Sequence, residues 1–108
     1  MIRGHNRMVS ANPEDLAELY RAFERSMHDA DAVITALENA KVRAEEEWDS
    51  KYKEQFIGEW ESTLRPSLIT LCQALATHGT NVAHNYNDFK VAGRDATLVD
   101  LPDLVSPR

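Results

Sequence analysis

Apolar residues recur through the first half of the chain at steps of three and four: Leu16, Leu19 or Tyr20, Phe23, Met27, Ala30, Ile34, Leu37, then Lys41 on the same beat, and Ala44. A repeat of about 3.5 residues is the seam of an α-helix that faces another helix along its whole length. The start of that helix is marked. Asn12 suits an N-cap, Pro13 the first helical position, and Glu14 with Asp15 sets negative charge against the positive end of the helix dipole. The spacing predicts a helix from Pro13 to about Glu46, on the order of 50 Å long at about 1.5 Å per residue.

A charged stretch, Glu45 to Lys51, interrupts the beat, and Asp49 or Ser50 can cap a new helix there. The stripe then resumes with Tyr52, Phe56, Trp60, Leu64, Leu68, Leu71, Leu75, His78, Val82, Tyr86 and Phe89. Two arms of similar length joined by a tight turn at 47–51 predict an antiparallel helical hairpin over 13–92. Neither strand alternation nor a β-hairpin turn occurs. Pro66 lacks the amide proton that would bond the Ser62 carbonyl, and a proline inside a helix costs about 3 kcal/mol. Gly79 costs about 1 kcal/mol relative to alanine. The expectation is a second arm that is kinked yet continuous. Residues 1–12 are expected to be a flexible lead-in. Residues 93–108, with Gly93, Pro102 and Pro107 among alternating leucines, valines and aspartates, are expected to form a tail or docking segment.

Two antiparallel helices share one narrow interface, and stripes carrying Leu, Phe, Trp and Tyr on both arms hold more apolar surface than that contact covers. The expected fold is therefore all-α: a hairpin of two long helices that assembles as a dimeric four-helix bundle. The core and dimer stripe is assigned to Leu16, Phe23, Ile34, Leu37, Phe56, Trp60, Leu64, Leu71 and Val82.

Composition narrows the function. A chain of 108 residues allows one small domain. Eighteen acids against twelve Lys and Arg leave a net charge of −6, which repels phosphate backbones, so no nucleic-acid partner is expected. No apolar run reaches the roughly 20 residues of a membrane span, and the first ten residues lack a signal-peptide core, so no membrane insertion is expected. Cys72 stands alone and reads as a small buried hydrophobe.

Catalytic constellations are missing. Residues three before His28, His78 and His84 are Arg25, Leu75 and Asn81, so the Glu-x-x-His pairs of di-metal bundles do not occur. Glu24 with His28 and His84 with Asp88 sit one turn apart and read as solvated pairs. His78, on the apolar beat, is either a hydrogen-bonded structural histidine or a pH-sensitive interface group. The four glycines are isolated, which excludes a phosphate-cradling loop. No catalytic residue, cofactor or metal is assigned, and the protein is expected not to be an enzyme.

The elbow Trp48-Asp49-Ser50, followed by Phe56, Trp60, the leucines at 64, 68, 71 and 75, Val82, Tyr86 and Asp88, resembles the WXG family of small type VII secretion proteins. Their chains of about a hundred residues carry a Trp-X-Gly turn between two long helices. The likeness spans roughly residues 12–95. Ser50 stands where the family has glycine, so the turn must form without a residue that freely takes positive φ. The family's export signal sets an acid four residues after a tyrosine, whereas Tyr86 is followed there by Lys90. Val91, Asp95 and Leu98 form a degenerate version on one helical face, and Tyr20 with Glu24 has the spacing inside the first arm.

The resemblance implies a non-enzymatic secretion substrate or export adaptor, acting as a dimer with itself or a related small helical protein. A membrane-bound secretion ATPase would recognise it, and a larger secreted cargo could travel with it. It would be cytoplasmic before export and then secreted without a cleaved signal peptide. Trp48 would be either an amphipathic anchor for partners or a hydrophobe closing the end of the bundle. The alternative is a cytosolic helical interaction module, a three- or four-helix bundle that is not exported.

Overall fold

The computed structural model describes residues 12–48, 51–93 and 100–108, with the side chains of 90–93 excepted. Helix α1 spans Pro13–Glu47. The return arm is helical from residue 51 to 93: α2 spans Lys51–Glu59, a π-helical turn covers Trp60–Leu64, and α3 spans Arg65–Gly93. Helix is thus the only regular secondary structure among the described residues, with two long helices running antiparallel and residues 100–108 non-helical.

Local chemistry explains the boundaries. Asn12 Oδ1 accepts the Asp15 backbone N–H at 3.0 Å, satisfying one of the free donors of the first turn. At the far end Trp48 leaves helical geometry (φ −90°, ψ 137°) while its N–H still donates to the Ala44 carbonyl. Pro66 neither kinks off a separate helix nor interrupts the arm. The wide turn just upstream takes up the disturbance: the Arg65 N–H reaches back five residues to the Trp60 carbonyl, where the proline ring would crowd a regular turn at Ser62. The Ser62 hydroxyl donates to the Gly58 carbonyl at 2.7 Å within the same stretch.

The radius of gyration is 19.7 Å, against about 13 Å for a compact chain of this size. Along this rod the interior falls into two clusters. Near the elbow, Ala30, Ile34, Trp60 and Cys72 are buried, with Leu37, Phe56, Leu68, Ile69 and Leu75 packed on them. Toward the open end, Tyr20, Val82 and Ala83 are buried beneath Leu16, Phe23, Leu101 and Leu104. The last two leucines belong to the segment 100–108, which lies back along the hairpin. Lys41 with Glu61 (2.6 Å) and Arg65 with Glu38 (2.6 Å) tie the arms together beside the π turn.

The stripe read from the sequence divides. Leu16, Phe23, Ile34, Leu37, Phe56, Trp60 and Val82 are buried or partly buried inside this chain. Leu64 and Leu71 are exposed, Leu71 at 45%: they sit on the rim of the helix pair, not between the helices. His78 is exposed as well, its ring stacked on Phe23 at 5.9 Å.

Candidate interaction surfaces

Among the described residues outside the helices, 101–108 carry the most hydrogen bonds. Asn87, Thr80 and Gln73 lie seven residues apart on α3 and therefore share one face. Asn87 reads both backbone groups of Leu101: its Oδ1 accepts the N–H at 2.9 Å and its Nδ2 donates to the carbonyl at 3.0 Å. Thr80 does the same for Leu104, accepting its N–H at 2.8 Å and donating to its carbonyl at 3.3 Å. Gln73 Nε2 donates to the Arg108 carbonyl at 3.4 Å. From α1, the Tyr20 hydroxyl donates to the Pro102 carbonyl at 2.8 Å.

The spans agree. Fourteen helical residues from Gln73 to Asn87 rise about 21 Å, and seven extended residues from Leu101 to Arg108 cover about 22 Å. Pro102 and Pro107 suit this, because each fixes φ and has no N–H to leave unpaired. Leu101 and Leu104 turn inward, while Pro102, Asp103 and Val105 face out. A Cβ built on Gly79 would fall 2.2 Å from Leu104 Cδ1 and 3.2 Å from Phe23 Cβ, so the glycine is the notch that admits Leu104. Its cost in helix propensity is explained by that contact.

The tail ends on charge. Arg108 Nε donates to Asp31 Oδ1 at 2.6 Å, its Nη1 lies 3.4 Å from Glu38 Oε1, and its Nη2 donates to Thr35 Oγ1 at 2.9 Å. The Asp31 hydrogen bond raises the guanidinium further above its ordinary pKa. Glu38 also accepts from Arg65, and that hydrogen bond, with the charges of Arg65 and Arg108, outweighs partial burial and holds its carboxyl below the ordinary value. Burial pushes the Tyr20 phenol above its ordinary value. His84 Nε2 lies 3.0 Å from Asp103 Oδ1, so the tail and not Asp88 supplies its acid neighbour.

The tail occupies one flank of the helix pair and leaves the other bare. On α1, Asp31, Thr35 and Glu38 face the tail, and Leu19 and Val33 lie round the opposite side. On the return arm Leu64, Leu71 and Phe89 recur at whole numbers of turns and line that same bare side. Phe89 is 42% exposed there. Single exposed hydrophobes are ordinary, whereas these fall in a line along both arms.

The elbow adds a third feature. Trp48 stacks on Tyr52 (centroids 5.9 Å, 27°) and leans on Phe56 (6.1 Å). Phe56 packs into the elbow-side core, while Trp48 remains 42% and Tyr52 62% exposed. Trp48 thus both extends the core outward and shows an aromatic face. Asp49 and Ser50 of the elbow motif, and Asp95 and Leu98 of the degenerate export pattern, lie outside the described residues, as does the side chain of Val91.

Among the described residues no group of three or more His, Cys, Asp or Glu could hold a metal ion, and no helix is long and apolar enough to cross a membrane. Cys72 is fully buried, its Sγ 3.7 Å from the Met27 carbonyl, and burial raises its thiol pKa. Asn87, Thr80, Gln73, Gly79 and Arg108 were not singled out as a site by periodicity; the seven-residue spacing of polar side chains on the return arm marks Gln73, Thr80 and Asn87.

The fold and these surfaces define a helical hairpin with a docked extended tail. Comparison with protein-family models, with curated proteins and with solved structures finds no match.

Proposed function

We propose that this protein is a non-enzymatic, WXG-like type VII secretion substrate or export adaptor that works as a helical homo- or heterodimer. The observation that carries the reading is the bare apolar flank, Leu19, Val33, Leu64, Leu71 and Phe89, beside an exposed aromatic elbow. Pairing two hairpins flank to flank closes a four-helix bundle and removes these residues from water, each fully buried large side chain contributing about 1.5–3 kcal/mol. Trp48 and Tyr52 then stand at the bundle end as aromatic anchors for a membrane-bound secretion ATPase or a larger secreted cargo. Val91, Asp95 and Leu98 are the export pattern in this reading.

The test is export from a bacterium with a type VII system. The uncleaved chain should accumulate in the medium, remain in the cells when the secretion ATPase is deleted, and be retained on Trp48→Ala or Asp95→Ala. Equal release with and without the ATPase, or no release from either strain, rejects export.

A second reading has its own observation. Residues 101–108 cover the other flank from within the same chain, which suits a cytosolic interaction module that is never exported. Retention in the cytoplasm together with stable capture of a cytosolic partner on the bare flank would favour it.

A further inference from the structure

The tail is held in a manner that does not depend on its being part of the same chain. Asn87 and Thr80 each satisfy both the N–H and the carbonyl of one tail residue, Tyr20 donates to the carbonyl of a third tail residue, and Gly79 opens a notch of leucine size. Asp31, Thr35 and Glu38 form an acidic seat for a guanidinium. Backbone clamps that fix an extended strand, an apolar key and a terminal charge are together the elements of a peptide-recognition groove.

We propose that the groove between α1 and α3 is a binding site for an extended peptide of the pattern Leu-Pro-x-Leu-x-x-x-Arg, filled here in cis by Leu101–Arg108 and open in trans to the same tail of a second copy. Two copies that exchange tails make every contact described above twice, since each groove meets an identical segment. The two prolines restrict the free tail, so ordering it costs less than for an ordinary eight-residue strand. The site stands apart from the bare flank and from secretion, because its ligand contacts lie on the opposite side of the hairpin.

The test uses full-length chains and a fluorescent peptide of residues 100–108. A tail-lesioned chain, Leu101→Asp with Leu104→Asp, leaves the groove intact and should bind the peptide saturably by anisotropy. Adding Asn87→Leu to that chain should abolish binding, and a scrambled peptide should not bind. The native chain should bind about tenfold more weakly or worse, because its own tail competes at millimolar effective concentration. Far-UV circular dichroism must show unchanged helicity, and the milder Leu104→Ala with Arg108→Ala replaces the double aspartate variant if it does not. A helical tail-lesioned chain that fails to bind overturns the proposal, and so does equal binding after Asn87→Leu or of the scrambled peptide. Exchange between copies is read by mixing an isotope-labelled Asn87→Leu chain with an unlabelled tail-lesioned chain. Its tail amides at Leu101 and Leu104 should gain protection from exchange; dimerisation without that protection overturns the trans occupant.

Discussion

Gly79→Ala separates the stability of the hairpin from the docking of its tail. The added methyl would lie 2.2 Å from Leu104 Cδ1 and 3.3 Å from its Cγ, with Phe23 Cβ 3.2 Å away on the other side. Ordinary contact between carbons needs about 3.5–4 Å, so the Leu104 methyl must turn out of the notch and its Cγ give by a few tenths of an ångström, at the expense of part of a burial worth about 1–2 kcal/mol for a half-buried leucine. Alanine returns about 1 kcal/mol of helix propensity at the same position. The two nearly cancel, so global stability should change by less than about 1 kcal/mol while the tail comes loose. Hydrogen exchange reads the difference, since the Leu101 and Leu104 amides are bonded to Asn87 and Thr80 side chains and should exchange much faster in the variant. The α1 and α3 core amides should be unchanged. Gly79→Val should release the tail further. Unchanged tail protection in Gly79→Ala would refute the notch, as would a general loss of helix protection.

Three further outcomes follow from the same contacts. Trp60→Ala removes a side chain only 1% exposed and should cost about 3–5 kcal/mol in a denaturant titration, whereas Trp48→Ala should cost only about 1 kcal/mol. The carboxyl of Glu38 is depressed, so the stability it lends is present above the ordinary carboxylate range and lost as pH falls through its folded value. Tyr20 is raised, so its contribution is full below the ordinary phenol value and lost as pH rises toward the folded one. Tail-amide protection should therefore fade at both extremes, first at the Arg108 end in acid and at the Pro102 end in alkali. Cys72, buried and held as the thiol, should react with iodoacetamide far more slowly than a free cysteine until the chain is denatured.

The helices were legible because their causes are local. Asn12, Pro13 and the two acids after them announce α1, and the beat of three and four persists from Leu16 to Ala44. Pro66 was legible as a disturbance but not in form, since whether a helix breaks, kinks or widens by one residue depends on what the neighbouring arm offers. Here Trp60 lies buried against α1, and the turn widens. Which members of the stripe face inward was not legible. Leu71 and Leu75 lie on one arm within about 40° of each other, yet one is exposed and the other packed on the core, because the contact between two helices is narrower than the stripe.

The tail was the least legible part. Its leucines and prolines suggest docking, but the address lies in Asn87, Thr80, Gln73 and Gly79, residues that read singly as solvent-facing positions or as helix weakness. The spacing Tyr20 to Glu24, similar to an export motif, is accounted for by contact: the Tyr20 ring is buried and its hydroxyl holds Pro102. Part of the apolar surface read from the stripes is thereby covered from within, since Leu101 and Leu104 of the chain's own tail pack on the open-end cluster.

What remains is the bare flank, and sedimentation of the full chain at micromolar concentration measures its consequence directly. The account predicts a species of twice the 12.2 kDa chain mass that reverts to the single chain on Leu71→Asp with Phe89→Asp and persists on Gly79→Ala. A stable, helical monomer at every concentration, unaltered by substitution on that flank, would contradict it.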